Sequence, residues 1–207
     1  MARKRYQHEL ELRQFTLEDY DEVKRIMDRI YPKMGGAWTR DQFRAMITRF
    51  PEGQLCIEDK GRVVAGALSL VIDYSRFGDR HTYQEVVGDG TLKNHDPEGD
   101  YLYGIDIFVS PDYREKRLGR RLYDARKELC ETLNLKGIII GGRIPGYADW
   151  ADKKTPQQYL RMVNNREISD PVLTFQVSND FHYKKIVENY WPEDYSSKGY
   201  GVIMEWN

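Results

Sequence analysis

The sequence Ile105-Asp-Ile-Phe-Val-Ser-Pro-Asp-Tyr-Arg-Glu-Lys-Arg-Leu-Gly-Arg-Arg-Leu122 carries the strongest structural signal in the chain. The mostly apolar run from Ile105 to Val109 is typical of a buried strand, and an amphipathic helix begins at Leu118. The turn between them directs backbone N–H groups and the positive end of a helix dipole toward one place. The sequence therefore predicts an anion site, suited to a phosphate, between the strand and the helix.

Positively charged residues surround this turn. Lys116, Arg117, Arg120 and Arg121 can form charge-assisted hydrogen bonds with a phosphate, and Gly119 allows a ligand to approach the backbone. Cations at a helix N-terminus oppose its dipole, so a bound anion would offset that cost. The alternatives are a solvated basic helix start and a nucleic-acid patch. The patch is short and has no interleaved aromatic residues, which disfavours nucleic acid.

The bulk composition is that of a globular protein of 207 residues, with 40% hydrophobic and 31% charged residues. Lys and Arg number 32 against 33 Asp and Glu, so no global charge favours nucleic acid or a membrane surface. Cys56 and Cys130 have no metal-ligand spacing and indicate reduced thiols. With no signal peptide or membrane span in the sequence, we expect a cytoplasmic protein without a metal.

Periodicity and turn residues predict one interlocked α/β domain over residues 1–207, in which residues 1–7 form a flexible tail. The strand–helix–strand passage from 101 to 140 indicates a βαβ unit with parallel strands. Residues 74–99 have no clear periodicity and predict a long loop, with disorder as the alternative. The other expected elements are a strand at 8–15, helices beginning at Thr16, Thr39 and Thr155, a hairpin of strands at 54–58 and 62–73, a strand at 135–140 followed by a glycine-rich turn at 141–147, a segment beginning at Asp170, and closing strands within 181–206.

The motif Val109-Ser-Pro-Asp-Tyr-Arg114-x-x-Arg117-Leu-Gly119-x-x-Leu122 resembles the coenzyme A-binding motif of the GCN5-related N-acetyltransferases (GNAT). The order of elements over residues 8–206 is similar too. The resemblance implies a single domain with a central mixed, twisted sheet of about six to seven strands and helices on both faces. One departure is Arg117, which replaces the family's first glycine. A side chain there is tolerated if its backbone dihedral stays in a common region, but it narrows the cradle for the pyrophosphate.

The second half of the chain is similar to a GNAT subgroup in which the acetyltransferase-like domain precedes a carbon–nitrogen hydrolase (nitrilase-like) domain. The resemblance implies a stand-alone relative or an N-terminal piece of a longer protein, with a hydrolase as a possible partner. It is carried by Gly-Gly-Arg-Ile-Pro-Gly-Tyr147, Tyr159, Asp170-Pro-Val-Leu-Thr-Phe-Gln176 and Gly-Val-Ile-Met-Glu-Trp206.

The family resemblance implies acetyl-CoA as co-substrate. The backbone of the motif strand would bond the pantetheine arm and polarise the thioester carbonyl, while the turn would hold the pyrophosphate. The implied cofactor-binding residues are Ile107, Phe108, Val109, Arg114, Lys116, Arg117, Leu118, Gly119, Arg120 and Arg121.

Asp106, Tyr103 and Tyr159 are the candidate catalytic residues. Tyr103 stands where some relatives carry a glutamate base, but a tyrosine is a poor base near neutral pH. Asp106 lies one register step away, on the other face of an ideal strand, and could instead be a structural carboxylate. The place of the family's tyrosine general acid holds Phe175 or Gln176, so Tyr147, Tyr159 and Tyr183 are possible substitutes.

Arg143 and Tyr147 are the candidate substrate-binding residues, because they lie in the glycine-rich turn beyond the fifth strand. Arg143 could bind an acidic group of the substrate or form a surface salt bridge. The leading hypothesis is an N-acetyltransferase acting on an amine of a small molecule or protein, with a homodimer as a possible state. The alternative is a non-catalytic module that binds acetyl-CoA or CoA and regulates a carbon–nitrogen hydrolase.

Overall fold

The computed structural model describes residues 8–32 and 36–207, so the predicted tail at 1–7 lies outside the described residues. One mixed sheet has the strand order β1-β2-β3-β4-β5-β7-β6, in which β4 and β5 are parallel and all other neighbours are antiparallel. This sheet confirms the predicted α/β architecture. The strands are β1 (Leu10–Gln14), β2 (Gln54–Asp59), β3 (Arg62–Ile72), β4 (Tyr101–Val109), β5 (Ile138–Arg143), β6 (His182–Val187) and β7 (Gly201–Trp206). The helices are α1 (Tyr20–Ile30), α2 (Arg40–Arg49), α3 (Tyr83–Val87), α4 (Leu118–Thr132), α5 (Pro156–Asn164) and α6 (Pro171–Val177).

Two helix starts follow the predicted local chemistry. The Thr39 side chain accepts a hydrogen bond from the Gln42 backbone at the start of α2, and Gln42 reaches back to the Thr39 backbone. Thr155 and Gln158 form the same reciprocal pair at the start of α5. These capping boxes satisfy N–H groups that have no partner inside the helix, which confirms both predicted N-termini.

Strand β4 is packed on both faces, and this fixes the position of the turn that follows it. Phe108 stacks with Phe15, and Gly66 on β3 leaves the space that both rings occupy. On the opposite face, Ile107 packs in a cluster with Leu118 of α4. Burial on both sides is typical of a central strand and anchors the basic turn to the core.

Strand β5 begins and ends three residues later than predicted. Gly141 and Gly142 do not form a turn; they pair with β7. A Cβ on Gly141 would collide with the hydroxyl of Tyr190, and one on Gly142 would collide with the side chain of Gln176. The glycines are therefore explained by large side chains packed directly on the strand, not by a turn.

Residues 74–99 are more ordered than a long loop. They contain α3, which Thr82 caps with Glu85, and two 3₁₀ turns at Tyr74–Arg76 and Gly78–Arg80. His81 is only 2% exposed. The segment is held by contacts with distant residues, which local periodicity does not reveal, so it contains short helical elements that the sequence did not predict.

Candidate functional site

An irregularity in the sheet positions Asp106. Leu68 of β3 pairs with Asp106, but the next residue, Ser69, pairs with Gly104, which leaves Ile105 as an extra residue. A Cβ added to Gly104 would point toward Arg126 on α4. Asp106, by contrast, contacts Tyr31 at the end of α1. In a regular strand, residues two apart share a face. The bulge therefore turns Asp106 to the α1 face.

The parallel strands β4 and β5 separate after a short contact. They pair only from Leu102 to Gly104, opposite Ile138 to Ile140. Beyond that point β5 continues along β7, and β4 is bonded only to β3. The predicted pantetheine-binding residues Ile107, Phe108 and Val109 lie on this free stretch of β4. An extended ligand with amide groups could bond to the open strand edge.

A cavity of about 750 Å³ passes through the gap between the two strands. This volume lies within the usual range for small-molecule sites. Residues on the α4 and α6 side line one part of the cavity, among them Tyr123, Arg126, Pro171, Val172, Phe175 and Gln176. Aromatic and polar residues line the other part, among them Tyr31, Trp38, Tyr83, Asn189, Tyr190, Trp191 and Glu193.

The carboxylate of Asp106 faces this cavity. Its Oδ1 accepts hydrogen bonds from the Tyr31 hydroxyl at 2.9 Å and from the Ile107 backbone at 2.8 Å. No hydrogen bond from residues 8–32 or 36–207 reaches Oδ2. Burial raises the pKa of Asp106, although the two hydrogen bonds and the charges of Arg126 and Arg143 oppose that shift. A carboxylate with a raised pKa and a free oxygen in a cavity can act as a general base.

Arg126 secures the bulge from the other face of the sheet. Its guanidinium is buried, and Nη2 donates to the backbone oxygens of Leu68, at 2.6 Å, and of Asp106. Its Nε donates to the hydroxyl of Ser69 at 3.1 Å. These acceptors lie where the register of β3 and β4 shifts, so Arg126 satisfies backbone groups that the bulge leaves exposed. Sequence analysis missed Arg126. Its place between Leu122 and Cys130 in the apolar spacing of α4 was the available signal.

The basic turn keeps a glycine-like shape although Arg117 replaces the glycine. Arg117 has φ 58 and ψ 22, and Glu115 has φ 66, both in the left-handed region. The condition stated for tolerating a side chain at this position, a backbone dihedral in a common region, is therefore not met by Arg117. Within the part of the chain that the structure describes, the side chains of Arg114, Lys116, Arg117 and Arg120 form no hydrogen bond or ion pair, whereas Arg121 donates to the Leu10 backbone oxygen. The exposed cations are therefore available to an anion at this turn.

Gly119 and Leu118 are buried at the start of α4. A Cβ on Gly119 would lie 2.7 Å from the ring of Phe175, so this glycine allows α6 to pack closely. Sequence analysis related Gly119 only to the approach of a ligand. The Leu118 side chain is 2% exposed and packs in the core, which leaves its backbone N–H as the group that can face a ligand.

Two candidate tyrosines do not line the cavity. The Tyr159 hydroxyl donates to Asp170 at 2.8 Å, and the Tyr147 hydroxyl donates to the Lys154 backbone oxygen at 2.9 Å. Tyr103 does not line it either and is fully buried. The structure thus brings Asp106 and Arg143 to the cavity, and places these three tyrosines behind its wall.

Arg143 lines the cavity while paired with a buried carboxylate. Its Nε and Nη2 donate to Asp194 at 2.7 and 2.8 Å, and Asp194 is 1% exposed. The salt-bridge alternative for Arg143 is therefore present, but in the interior and not on the surface. This pair balances the charge of Arg143, so the guanidinium has limited capacity for an acidic ligand.

Cavity residues that sequence analysis did not assign include two with unsatisfied polar atoms. Trp38 Nε1 and Gln176 Oε1 are buried and have no hydrogen-bond partner among the described residues. Such groups are rare in folded proteins because each carries a desolvation cost. Both residues line the cavity, where a bound molecule could supply the missing partner.

No helix within residues 8–32 and 36–207 has the length and apolar character needed to cross a membrane. In the same described residues, no group of three or more His, Cys, Asp or Glu side chains is arranged to hold a metal ion.

Family and sequence comparisons agree with this geometry. The model of the acetyltransferase (GNAT) family matches residues 20–145, and the chain belongs to this family. An uncharacterized N-acetyltransferase of Bacillus subtilis (strain 168), YkwB, is 34% identical over 200 residues, which cover 95% of this chain and 88% of YkwB. These findings confirm the family predicted from the motif.

A second relative is much longer. The probable hydrolase YhcX of Bacillus subtilis (strain 168) is 40% identical over 203 residues. The match covers 98% of this chain but only 39% of YhcX. The chain thus spans about two fifths of that relative.

Solved structures share the fold. The loading GNATL domain of CurA from Lyngbya majuscula has a TM-score of 0.83 at 19% identity, covering 96% of this chain and 98% of that one. The GphF GNAT-like decarboxylase in complex with isobutyryl-CoA has a TM-score of 0.76 at 24% identity, covering 94% of this chain and 97% of that one. At these identities the likeness establishes the single-domain α/β fold.

Proposed function

We propose that the chain transfers the acetyl group of acetyl-CoA directly to an amine of a small molecule or protein. The observation that carries the proposal is the cavity between the separated strands β4 and β5, which Asp106 lines with an oxygen that accepts no hydrogen bond from the described residues. The basic turn follows directly at the end of β4. The name of the relative YkwB supports the same reaction, and GphF, which shares the fold, was solved with an acyl-CoA.

The cofactor contacts follow from the two backbone features. The N–H groups of the turn from Lys116 to Arg120 receive the pyrophosphate, and the exposed cations Arg114 and Lys116 add charge-assisted contacts. The pantetheine arm lies along Ile107 to Val109, whose backbone polarises the thioester carbonyl.

Asp106 serves as the base in this proposal. An amine arrives mostly as an ammonium ion near neutral pH, and it attacks a thioester only after losing a proton. Asp106 Oδ2 is available to accept that proton, and its raised pKa brings it closer to the working pH. Tyr159 and Tyr147 lie outside the cavity lining, so the proposal gives them no chemical step.

The test measures thiol release from acetyl-CoA against a panel of amines. We expect Asp106→Asn to lower the transfer rate by about 100-fold or more, with unchanged acetyl-CoA affinity in calorimetry. Asp112→Asn is the matched control, because its carboxylate is exposed and paired with Arg29. A normal rate in Asp106→Asn would remove the assignment of the base.

The second candidate function is a non-catalytic module that binds acetyl-CoA and acts with a carbon–nitrogen hydrolase. The specific support is YhcX, a probable hydrolase in which a region similar to this chain makes up 39% of the length. Binding of acetyl-CoA without turnover on any amine would favour the module. Absence of binding would contradict both candidates.

A cytoplasmic setting is part of the proposal, supported by two free, buried cysteines.

A further inference from the structure

Three buried side chains form a hydrogen-bonded row that ends at the cavity. The hydroxyls of Tyr190 and Tyr103 are 2.9 Å apart, and the Tyr103 hydroxyl is 3.1 Å from His81 Nε2. His81 Nδ1 lies 2.6 Å from the backbone oxygen of Gly78. All three side chains are at most 2% exposed. Such a row is costly to bury in an apolar core unless every member is bonded.

The bond to Gly78 sets the direction of the protons. A carbonyl oxygen only accepts, so Nδ1 of the neutral imidazole carries the hydrogen and Nε2 is an acceptor. Tyr103 therefore donates to His81 Nε2, and Tyr190 donates to the Tyr103 oxygen. The remaining lone pairs of the Tyr190 oxygen can accept a proton from a neighbouring group.

Tyr190 brings this row to the place where the strands separate. It lines the cavity, and its hydroxyl occupies the space that a side chain on Gly141 would need. Gly141 directly follows Ile140, the last residue of β5 that pairs with β4. The outer end of the row is thus beside the gap assigned to the thioester.

The surroundings of His81 favour a neutral resting state that can still gain a proton. Burial lowers the pKa of His81, while Asp79 and Glu85 oppose that shift. Asp79 also pairs with Lys184, at 3.8 Å. The rings of Tyr74 and Phe77 pack edge-on against the imidazole.

From this geometry we infer that Tyr190, Tyr103 and His81 form a proton relay between the reacting amine and the departing thiolate. The inference rests on the proposed acetyl transfer. When the amine nitrogen bonds to the thioester carbon, its excess proton passes to Tyr190 and the Tyr190 proton passes to Tyr103. The Tyr103 proton then moves to His81 Nε2, which gives an imidazolium.

The same row returns the proton when the carbon–sulfur bond breaks. The sulfur leaves with the bonding electron pair, and the imidazolium proton moves back through Tyr103 and Tyr190 to the sulfur. The amine proton thus ends on the CoA thiol, and the row regains its starting state. Asp106 has a separate task, since it deprotonates the incoming ammonium before the attack.

A double-mutant cycle separates a relay from three independent core contacts. We expect Tyr190→Phe and Tyr103→Phe each to lower kcat by about 100-fold with an unchanged KM for acetyl-CoA. The double variant should lose no more than either single variant, because one break stops the relay. Tyr74→Phe is the control: its ring packs on His81, but its hydroxyl bonds to Asp79, and kcat should stay within about twofold. The relay would be overturned if the fall in kcat of the double variant equalled the product of the two single falls, or if either single variant had a normal kcat.

Histidine nitrogen NMR tests the connection without turnover. Saturation with CoA should shift the His81 Nε2 resonance, because the thiol polarises the row through Tyr190. In Tyr190→Phe the shift should vanish while CoA still binds. A shift in a protein that acetylates no amine would support the relay geometry but contradict the proposed reaction. No shift in the saturated wild-type protein, or no CoA binding, would overturn the relay.

Discussion

Arg117 shows how a single residue can depart from a family motif and keep its geometry. Its φ of 58 is a conformation that glycine adopts freely and that costs other residues about 1 kcal/mol. The side chain is exposed, so nothing in the core compensates for that cost. The turn therefore retains its shape at some expense in stability, and it gains a cation beside the proposed phosphate site.

We expect Arg117→Gly to leave the free energy of unfolding unchanged or to raise it by up to about 1 kcal/mol. The relief of the left-handed strain opposes the larger entropy that glycine gives the unfolded chain. Arg120→Gly, in the first turn of α4, should instead lower stability by about 1 kcal/mol. Urea unfolding of both variants is the measurement. Equal losses in the two would show that Arg117 is not strained.

At the scale of elements, the β4 bulge was the feature that sequence reasoning could not supply. The predicted end of β4 at Val109 agrees with the structure, and the capping boxes at Thr39 and Thr155 are present, because these signals are local. An extra residue in one strand can be recognised only from the pairing with its partner strand. The alternation of side chains along β4 alone therefore placed Asp106 on the face opposite Tyr103, and it could not reveal the bulge that turns Asp106 to the α1 face. The glycines of β5 were predicted to form a turn for a similar reason. Gly141 makes room for Tyr190, which comes from a distant part of the chain.

Removal of the guanidinium that holds the bulge should affect both stability and the pH profile. Arg126→Met leaves the buried oxygens of Leu68 and Asp106 without a donor, which should cost about 2–4 kcal/mol of stability. Arg126 also lowers the pKa of Asp106, so its loss raises that pKa further. The active form of the proposed base is the carboxylate, which is lost as pH falls through its pKa.

The pH of half-maximal transfer should therefore move upward in Arg126→Met. The neighbouring variant Lys127→Met is the control, because its ion pair with the exposed Asp180 should contribute less than about 1 kcal/mol. Guanidinium unfolding and the pH dependence of kcat/KM are the measurements. An unchanged pH profile in a folded Arg126→Met would show that this charge does not act on Asp106.

For the whole molecule, the site is assembled from parts that are far apart in sequence. The turn at 114–121 was predictable because strand, turn and helix are contiguous. The aromatic part of the cavity was not, since it joins Tyr31, Trp38, Tyr83 and Trp191 from separate segments. Tyr83 and Trp191 stack with ring centroids 4.5 Å apart, a contact that only the tertiary fold creates. Residues 74–99 supply both His81 and Tyr83, although their sequence resembles an unstructured connection.

Cofactor binding should stabilise the whole domain through this shared site. Acetyl-CoA at 100 times its Kd should raise the free energy of unfolding by about 2.7 kcal/mol. Lys116→Glu should weaken binding about tenfold and remove about 1.4 kcal/mol of that gain at the same ligand concentration. Lys153→Glu, an exposed reversal outside the turn, is the matched control. If acetyl-CoA raised the free energy of unfolding equally in the two variants, the cofactor would bind elsewhere.

The brief contact between β4 and β5 also has a mechanical consequence. Among the described residues, strand pairing joins β1–β4 to the other three strands only from Leu102 to Gly104, opposite Ile138 to Ile140. The sheet thus consists of two groups of strands, which are paired at one end of β4 and β5 and separate at the other end. A pantetheine arm bound along the opening between β4 and β5 would connect the two groups of strands. The donor substrate would then also contribute to the cohesion of the sheet.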